Sequence, residues 1–185
     1  MKKTLLLLTI ILSGCGSMTQ VSNSDYQAIT NNNFLIDNSV VVWQKVIETD
    51  LSFDDFVNKM KEMGVLYNIE TMDGKLIGDI NLVEADYKGA GYGYMTTPIY
   101  ISRNFIGAHA LIEFREGRYR VVLRNIMLTQ QIDDPLSKMG ELTPIESYAL
   151  TNGEFNRAFI QSSEILDFTF SNLFTIKESK LSDDW

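Results

Sequence analysis

The chain has 185 residues, 45% of them hydrophobic, and a formal net charge of −8 at pH 7. At this length and hydrophobic content we expect one folded domain whose core is large enough to do without disulfide bonds. Phosphate backbones and anionic headgroups repel an acidic protein, which argues against nucleic-acid binding and against a polybasic membrane signal. We therefore expect no nucleic acid among its partners.

The first residues have the pattern of an export signal. Lys2 and Lys3 supply positive charge, and an apolar run from Leu5 to Leu12 follows them. The run is too short to span a hydrocarbon layer about 30 Å thick, so it indicates a leader and not a transmembrane helix. It closes with Leu12-Ser13-Gly14 directly before Cys15, the single cysteine of the chain.

This ending resembles the lipobox of bacterial lipoproteins, in which the cysteine sulfur receives a diacylglycerol and the leader is cut before it. The resemblance implies that Cys15 is the lipidation site and that residues 1–14 are a lipoprotein signal peptide. Because each buried methylene contributes about 0.8 kcal/mol, two or three acyl chains make a stable membrane anchor where one does not. The alternative is an unpaired thiol in an exported protein, which would be a chemical liability.

Residues 15–36 are predicted to be the lipidated N-terminus and a flexible tether. The stretch from Gly16 to Asn33 is rich in Ser, Thr, Asn and Gln and has no sustained periodicity. By resemblance to the sorting rules of lipoproteins, Gly16 in place of an acidic residue implies the outer membrane of the bacterial cell envelope, facing the periplasm. Exposure at the cell surface stays open. Residues 37–185 are assigned to a single domain.

The domain is predicted to begin with a strand and a helix. Val40 to Ile47 is β-branched and aromatic, which is typical of a strand. Ser52 can cap a helix, with Asp55 three residues on, and Gly64 is placed to end that helix in a left-handed conformation. The neighbouring carboxylates Asp54 and Asp55 suggest acid–base chemistry, but in a first helical turn they are better explained as complementing the helix dipole.

Two hairpins are predicted from their turns. Asp73-Gly74 is a strong hairpin signal and pairs Met72 with Lys75, while Glu116-Gly117 pairs Arg115 with Arg118. Alternation then gives each hairpin one apolar and one polar face. The apolar face of the first hairpin is predicted to hold Tyr67, Ile69, Thr71, Leu76, Gly78 and Ile80. On the polar face of the second, Glu113 lies opposite Arg120 and His109 opposite Arg124.

The remaining segments complete an α+β prediction. Ile99 to Ser102 is predicted to be extended. Thr129 to Asn152 is predicted to be an irregular connection with at most a short turn of helix, and it is long for a loop. From Gly153 a stripe of phenylalanines and leucines at helical spacing predicts a helix that packs in the core. The prediction is therefore a single antiparallel sheet of about five strands packed against two helices on one face, in the order β-α-β-β-β-β-α.

This order of elements, together with Val42-Trp43-Gln44-Lys45-Val46, Asp86-Tyr87-Lys88 and Glu116-Gly117-Arg118-Tyr119-Arg120-Val121, resembles a family of uncharacterised bacterial envelope lipoproteins. The resemblance runs from about Val40 to Leu128. It implies a fold like that of the TATA-binding protein (TBP-like) and brings no known catalytic residues. It implies nothing about DNA, because fold does not fix function and the chain is acidic where a DNA-binding protein is basic.

A glycine and tyrosine stretch supplies the candidate contact residues. Tyr87, Tyr92 and Tyr94 would offer adaptable contacts to a ligand or partner if the loop presents them to solvent. The structural alternative is a flexible or bulged connection. Its glycines alternate at every second residue, which does not match the spacing of a phosphate-binding loop.

No motif indicates catalysis. His109 is the one histidine, and the chain has no Gly-x-Ser-x-Gly turn to present a nucleophile to it. Zinc sites need several His or Cys ligands, so we expect no metal, and we expect no cofactor. Glu84 and Asp86 could act as an acid and base pair on a glycan only if they lie at a suitable separation.

The sequence therefore favours a non-catalytic binding or assembly module, held at a membrane by the lipid on Cys15 and acting on an envelope protein partner. Two alternatives stay open. One is a small envelope hydrolase that acts on glycans or peptides, and the other is a small-ligand binder that uses the loop from Tyr87 to Tyr94.

Overall fold

The computed structural model describes residues 32–135 and 137–176. The predicted leader, the lipidation site Cys15 and the tether up to residue 31 lie outside the described residues. The strands are β1 (Phe34–Asp37), β2 (Val40–Glu48), β3 (Tyr67–Met72), β4 (Lys75–Glu84), β5 (Asn104–Arg115), β6 (Arg118–Gln130), β7 (Leu142–Pro144), β8 (Leu150–Thr151) and β9 (Glu154–Phe155). The helices are α1 (Phe53–Met63), α2 (Ile99–Ser102), α3 (Glu146–Ala149) and α4 (Phe159–Phe174).

Seven strands form one sheet in the order β1-β2-β6-β5-β4-β3, with β7 paired to β6. All of its pairings are antiparallel, and β8 and β9 form a separate two-stranded ribbon. The predicted α+β class is confirmed, but the prediction of about five strands is too low. The sheet strands that the prediction lacks are β1 and β7, which are short and flank the predicted elements.

Strand β1 lies partly inside the segment that was assigned to the tether. Asn38 and Ser39 both have positive φ, 51° and 66°, and they form the tight turn that folds β1 back onto β2. Phe34 is fully buried. The predicted boundary at residue 37 therefore cuts through an ordered hairpin, because the polar residues around the turn resemble a linker in composition.

Both predicted hairpin registers are confirmed. Met72 pairs with Lys75, and Arg115 pairs with Arg118. Asp73 and Gly74 have φ of 32° and 74°, the pair of positive values that a two-residue hairpin turn requires. The second hairpin places Glu113 opposite Arg120 and His109 opposite Arg124, as predicted.

Helices α1 and α4 cover the same face of the sheet. The ring of Phe56 in α1 lies 4.5 Å from that of Tyr119, and the ring of Phe170 in α4 lies 5.3 Å from that of Trp43. Tyr119 and Trp43 point to the same side, since their strands pair Ile47 with Tyr119 and Trp43 with Leu123. The predicted placement of two helices on one face is thus confirmed. Within residues 32–135 and 137–176 no helix packs on the opposite face of the sheet, which we call the uncovered face.

The caps of α1 also match the prediction. The Ser52 hydroxyl accepts the Asp55 backbone N–H at 3.3 Å, and Gly64 ends the helix at φ 63°. Among the described residues, no helix is both long enough and apolar enough to cross a membrane.

Three segments differ from the prediction. Ile99–Ser102 is a helical turn and not extended, because Pro98 starts the turn and the carbonyl of Pro98 accepts the Ile101 N–H at 2.9 Å. The last helix begins at Phe159 and not near Gly153, which has φ 82° in the turn between β8 and β9. The connection predicted to be irregular contains the strand β7, which pairs with β6, while the single helical turn α3 is within the prediction of at most a short turn of helix.

Candidate functional site

The uncovered face of the sheet carries a groove of about 430 Å³ that runs across the strands β3 to β7. We call it the sheet groove. Its polar lining residues are Tyr67, Asn68, Asp79, Asn81, His109, Asn125 and Thr129.

A glycine opens the floor of the sheet groove. Gly107 points to the uncovered face, because its neighbours Ile106 and Ala108 are buried against the helices. A Cβ atom at Gly107 would meet the Ile80 carbonyl oxygen at 3.4 Å and Asn81 Oδ1 at 3.9 Å. The missing side chain therefore leaves space between Asn81 on β4 and Met127, which pairs with Gly107 from β6.

Three β-bulges converge on this space. The pairing register shifts once between β3 and β4, once between β4 and β5, and once between β5 and β6. At each shift the extra segment contains a residue with positive φ: Asn68 at 50°, Leu82 at 54° and Asn125 at 51°. Bulges bend a strand and change the direction of its side chains. Asparagine tolerates the left-handed conformation, whereas at Leu82 it costs on the order of 1–3 kcal/mol. Three bulges, one of them with a strained leucine, thus lie around the sheet groove.

The bulge at Asn68 explains one wrong prediction. Tyr67 was expected on the apolar face with Leu76 and Ile80, on the assumption of unbroken alternation. The extra residue moves Tyr67 to the uncovered face, where it pairs with Asp79 and is 56% exposed. A register slip of one residue moves a side chain to the other face of a sheet.

A carboxylate connects two of the groove side chains. Asp79 accepts a hydrogen bond from Asn68 Nδ2 at 3.0 Å, and its other oxygen lies 2.8 Å from His109 Nδ1. These hydrogen bonds, that of Asn68 first, hold the pKa of Asp79 below its ordinary value. Because Nδ1 faces Asp79, Nε2 is the imidazole nitrogen directed away from the carboxylate. Arg124 lies opposite His109 but binds Asp37 at 2.6 Å.

The reactive side chains that line the sheet groove are few. Among the described residues that line the sheet groove there is no serine or cysteine, and the hydroxyls belong to Tyr67 and Thr129. In the part of the chain that the structure describes, no cluster of three or more His, Cys, Asp or Glu residues could hold a metal ion. An imidazole oriented by a carboxylate is nevertheless the arrangement of a general base.

The candidate tyrosines lie on the helix side of the molecule. Tyr92 donates a hydrogen bond to the Glu164 carboxylate of α4, which raises the pKa of the phenol. Tyr87 packs against the core, and its ring lies 6.5 Å from that of Tyr94, which is 51% exposed. Gly89 allows the loop to lie close to α4, since a Cβ there would be 2.6 Å from Phe168. Tyr94 therefore presents most of the exposed surface of the three.

Glu84 and Asp86, the two carboxylates suggested as an acid and base pair, differ in their surroundings. Asp86 Oδ1 accepts the Gly89 N–H at 2.8 Å, a turn that shapes the tyrosine loop. Glu84 is exposed at the end of β4. A second pocket of about 260 Å³ lies beside Arg115 and Arg118 at the hairpin end, where Arg120 and Lys75 both pair with Glu113.

The sequence suggests His109 only as the base that a hydrolase would need, and it does not point to His109 or the asparagines around it as a binding site. Asn68, Asn81 and Asn125 interrupt segments that are otherwise rich in β-forming residues. Asparagine is depleted in strands and tolerates left-handed backbone, so its recurrence at such positions is the available signal for bulges.

The fold that these elements define is an α+β domain whose main antiparallel sheet is covered on one face by helices. No family model and no curated protein matches the chain. Two solved structures are similar. A TBP-like protein from Parabacteroides distasonis is 17% identical, with 75% of this chain and 90% of that chain covered and a TM-score of 0.46. A DUF4468 family protein from Bacteroides ovatus is 12% identical, with 80% and 94% covered and a TM-score of 0.43.

Proposed function

We propose that the chain is a non-catalytic binding module of the bacterial cell envelope, anchored by lipid on Cys15, and that its binding site is the sheet groove. The observation that carries the binding role is the convergence of three β-bulges on one groove of the uncovered face. Bulges are over-represented next to functional sites, where they redirect side chains. The anchor is supported by the leader and the lipobox resemblance.

The binding role can be tested by photo-crosslinking in membranes. A photoreactive phenylalanine analogue replaces Tyr67 in the sheet groove or Tyr94 on the helix side, two tyrosines of similar exposure. We expect a specific crosslinked species from position 67. Crosslinks from position 94 alone would refute the groove as the binding site and would favour the tyrosine loop.

The anchor is tested separately by fractionation. We expect the Cys15→Ser variant of the full chain to leave the detergent-extracted membrane fraction while its domain stays folded by circular dichroism. Continued detergent-sensitive attachment of the variant would refute lipid anchoring at Cys15.

One observation favours a hydrolase as the second candidate. The Asp79 carboxylate orients His109 so that Nε2 could take a proton from a water molecule. If the protein hydrolyses envelope glycans or peptides in this way, His109→Gln abolishes the formation of hydrolysis products and leaves ligand affinity nearly unchanged. A variant that forms products at the full rate would eliminate this candidate.

A further inference from the structure

The sheet groove has an unusual density of side-chain amides. Asn68, Asn81 and Asn125 come from three different strands, β3, β4 and β6, and all three line it. Each amide offers two N–H donors and a carbonyl acceptor in one plane. A sugar hydroxyl is also both donor and acceptor, so neighbouring hydroxyls on a ring can satisfy an amide on both sides.

The charges of the sheet groove do not suit an ionic ligand. Among the described residues that line it there is no lysine or arginine. The one carboxylate, Asp79, is already hydrogen-bonded to Asn68 and faces His109. An anion would approach Asp79 in a chain with a net charge of −8, which is unfavourable. The lining therefore selects against an anion, and because its one carboxylate is already hydrogen-bonded, a neutral polar ligand fits it best.

An exposed tyrosine and an exposed leucine stand at the two ends of the groove. Tyr67 on β3 is 56% exposed and Leu142 on β7 is 60% exposed. The five strands from β3 to β7 span roughly 19 Å at the usual spacing of neighbouring strands. An exposed tyrosine ring can stack on the C–H face of a sugar ring, and its hydroxyl can bond at the edge.

We infer that the sheet groove binds a neutral oligosaccharide, with the three amides bonded to its hydroxyls and Tyr67 stacked on one ring. This inference rests on the proposed function, which makes the groove the binding site, and it adds the chemical class of the ligand. A neutral polar peptide is the competing occupant. It is less favoured because the groove crosses the strands, so a peptide in it would not extend the sheet by backbone pairing at an edge.

The test is a calorimetric titration of the full chain in detergent. The probes are neutral oligosaccharides of glucose, mannose and galactose, an oligosaccharide of uronic acid, and a neutral serine- and asparagine-rich peptide. We expect at least one neutral oligosaccharide to bind, and Tyr67→Ala and Asn81→Ala each to weaken it by about tenfold or more. Tyr94→Ala is the matched control and is expected to change the affinity less than about twofold.

The remaining outcomes separate the two proposals. Peptide or uronic acid binding that is lost in Tyr67→Ala would overturn the oligosaccharide inference and would leave the groove as the binding site. Oligosaccharide binding that Tyr94→Ala abolishes and Tyr67→Ala does not would overturn both. If no probe binds, the inference is overturned, and the crosslinks from position 67 decide the proposed function by themselves.

Discussion

The two faces of the sheet are built from the same strands, yet they differ in burial and in the kinds of side chain that they carry. On β5, Ala108, Ala110 and Ile112 point to the helices and are buried, while Gly107 and His109 point the other way. The covered face is apolar and continuous with the aromatic side chains of α1 and α4. The uncovered face gathers amides, the Asp79 and His109 pair and three bulges. The comparison indicates that one face holds the fold together and that the other is free to serve function.

The largest expected effect on stability follows from truncating a core side chain on the covered side of the sheet. Phe170 is fully buried and its ring contacts those of Phe34 and Trp43. We expect Phe170→Ala to lower the free energy of unfolding by about 3–5 kcal/mol, because the change leaves a cavity in the aromatic core. The measurement is urea unfolding followed by circular dichroism.

Tyr67→Ala is the matched control on the uncovered face, where a large aromatic side chain is also removed. We expect a change within about 0.5 kcal/mol, since surface substitutions are usually small. A loss in Tyr67→Ala as large as that in Phe170→Ala would contradict the division of roles between the faces.

A second prediction concerns alkaline pH and the core. Burial raises the pKa of Tyr119 to about 12. The unfolded phenol ionises near pH 10, so ionisation favours the unfolded chain above that value. The stabilising effect is therefore complete below pH 10 and is lost as the pH rises towards 12, by about 2–3 kcal/mol.

The test compares unfolding free energies from pH 8 to 12 in the wild type and in Tyr119→Phe. The variant lacks the hydrogen bond to the Phe174 carbonyl, which is 2.6 Å long, and should lose about 1 kcal/mol at neutral pH. Its pH dependence above 10 should be shallower than that of the wild type. Equal slopes in the two proteins would show that Tyr119 is not responsible, and Tyr94→Phe is the exposed control.

A third prediction addresses the strain of the uncovered face. Leu82 has φ 54° and is 56% exposed, so it occupies a left-handed conformation with little burial in return. Leucine lacks the short polar side chain that lets asparagine tolerate this conformation. We expect Leu82→Asn to raise the free energy of unfolding by roughly 0.5–1 kcal/mol. A loss of stability in thermal and urea unfolding would mean that Leu82 makes contacts that outweigh its strain.

The hairpins and helices could be predicted because local residues determine them. Asp73-Gly74 fixed one register, and Ser52 with Gly64 fixed the ends of α1. The sheet groove could not be predicted, since it depends on bulges at Asn68 and Asn125 that break strand alternation. Unbroken alternation predicts Tyr67 on the covered face, and the bulge at Asn68 moves it to the other face.

The helical turn at α2 shows the other kind of limit. Ile99 and Ile101 favour a strand by intrinsic propensity. The local conformation is instead determined by Pro98 and by the burial of Ile101 in the core. Tertiary packing overrides propensity in such short segments. The pairing of His109 with Asp79 is similarly non-local, because it needs the register of β4 on β5.

The smallest expected effect concerns Asp79 and acid. Its pKa is lowered by Asn68 first and then by His109, so the carboxylate adds stability above its unfolded pKa, and this is lost as the pH falls through the folded value. Because the group is exposed, solvent screening should keep the contribution below about 0.5 kcal/mol.

The carboxyl carbon shift in an NMR titration measures the pKa of Asp79 directly. We expect Asn68→Ala to move it towards the ordinary value, while Asn172→Ala on α4 leaves it unchanged. If Asn68→Ala has no effect, Asn68 does not position the Asp79 and His109 pair, and the groove network is looser than its geometry indicates.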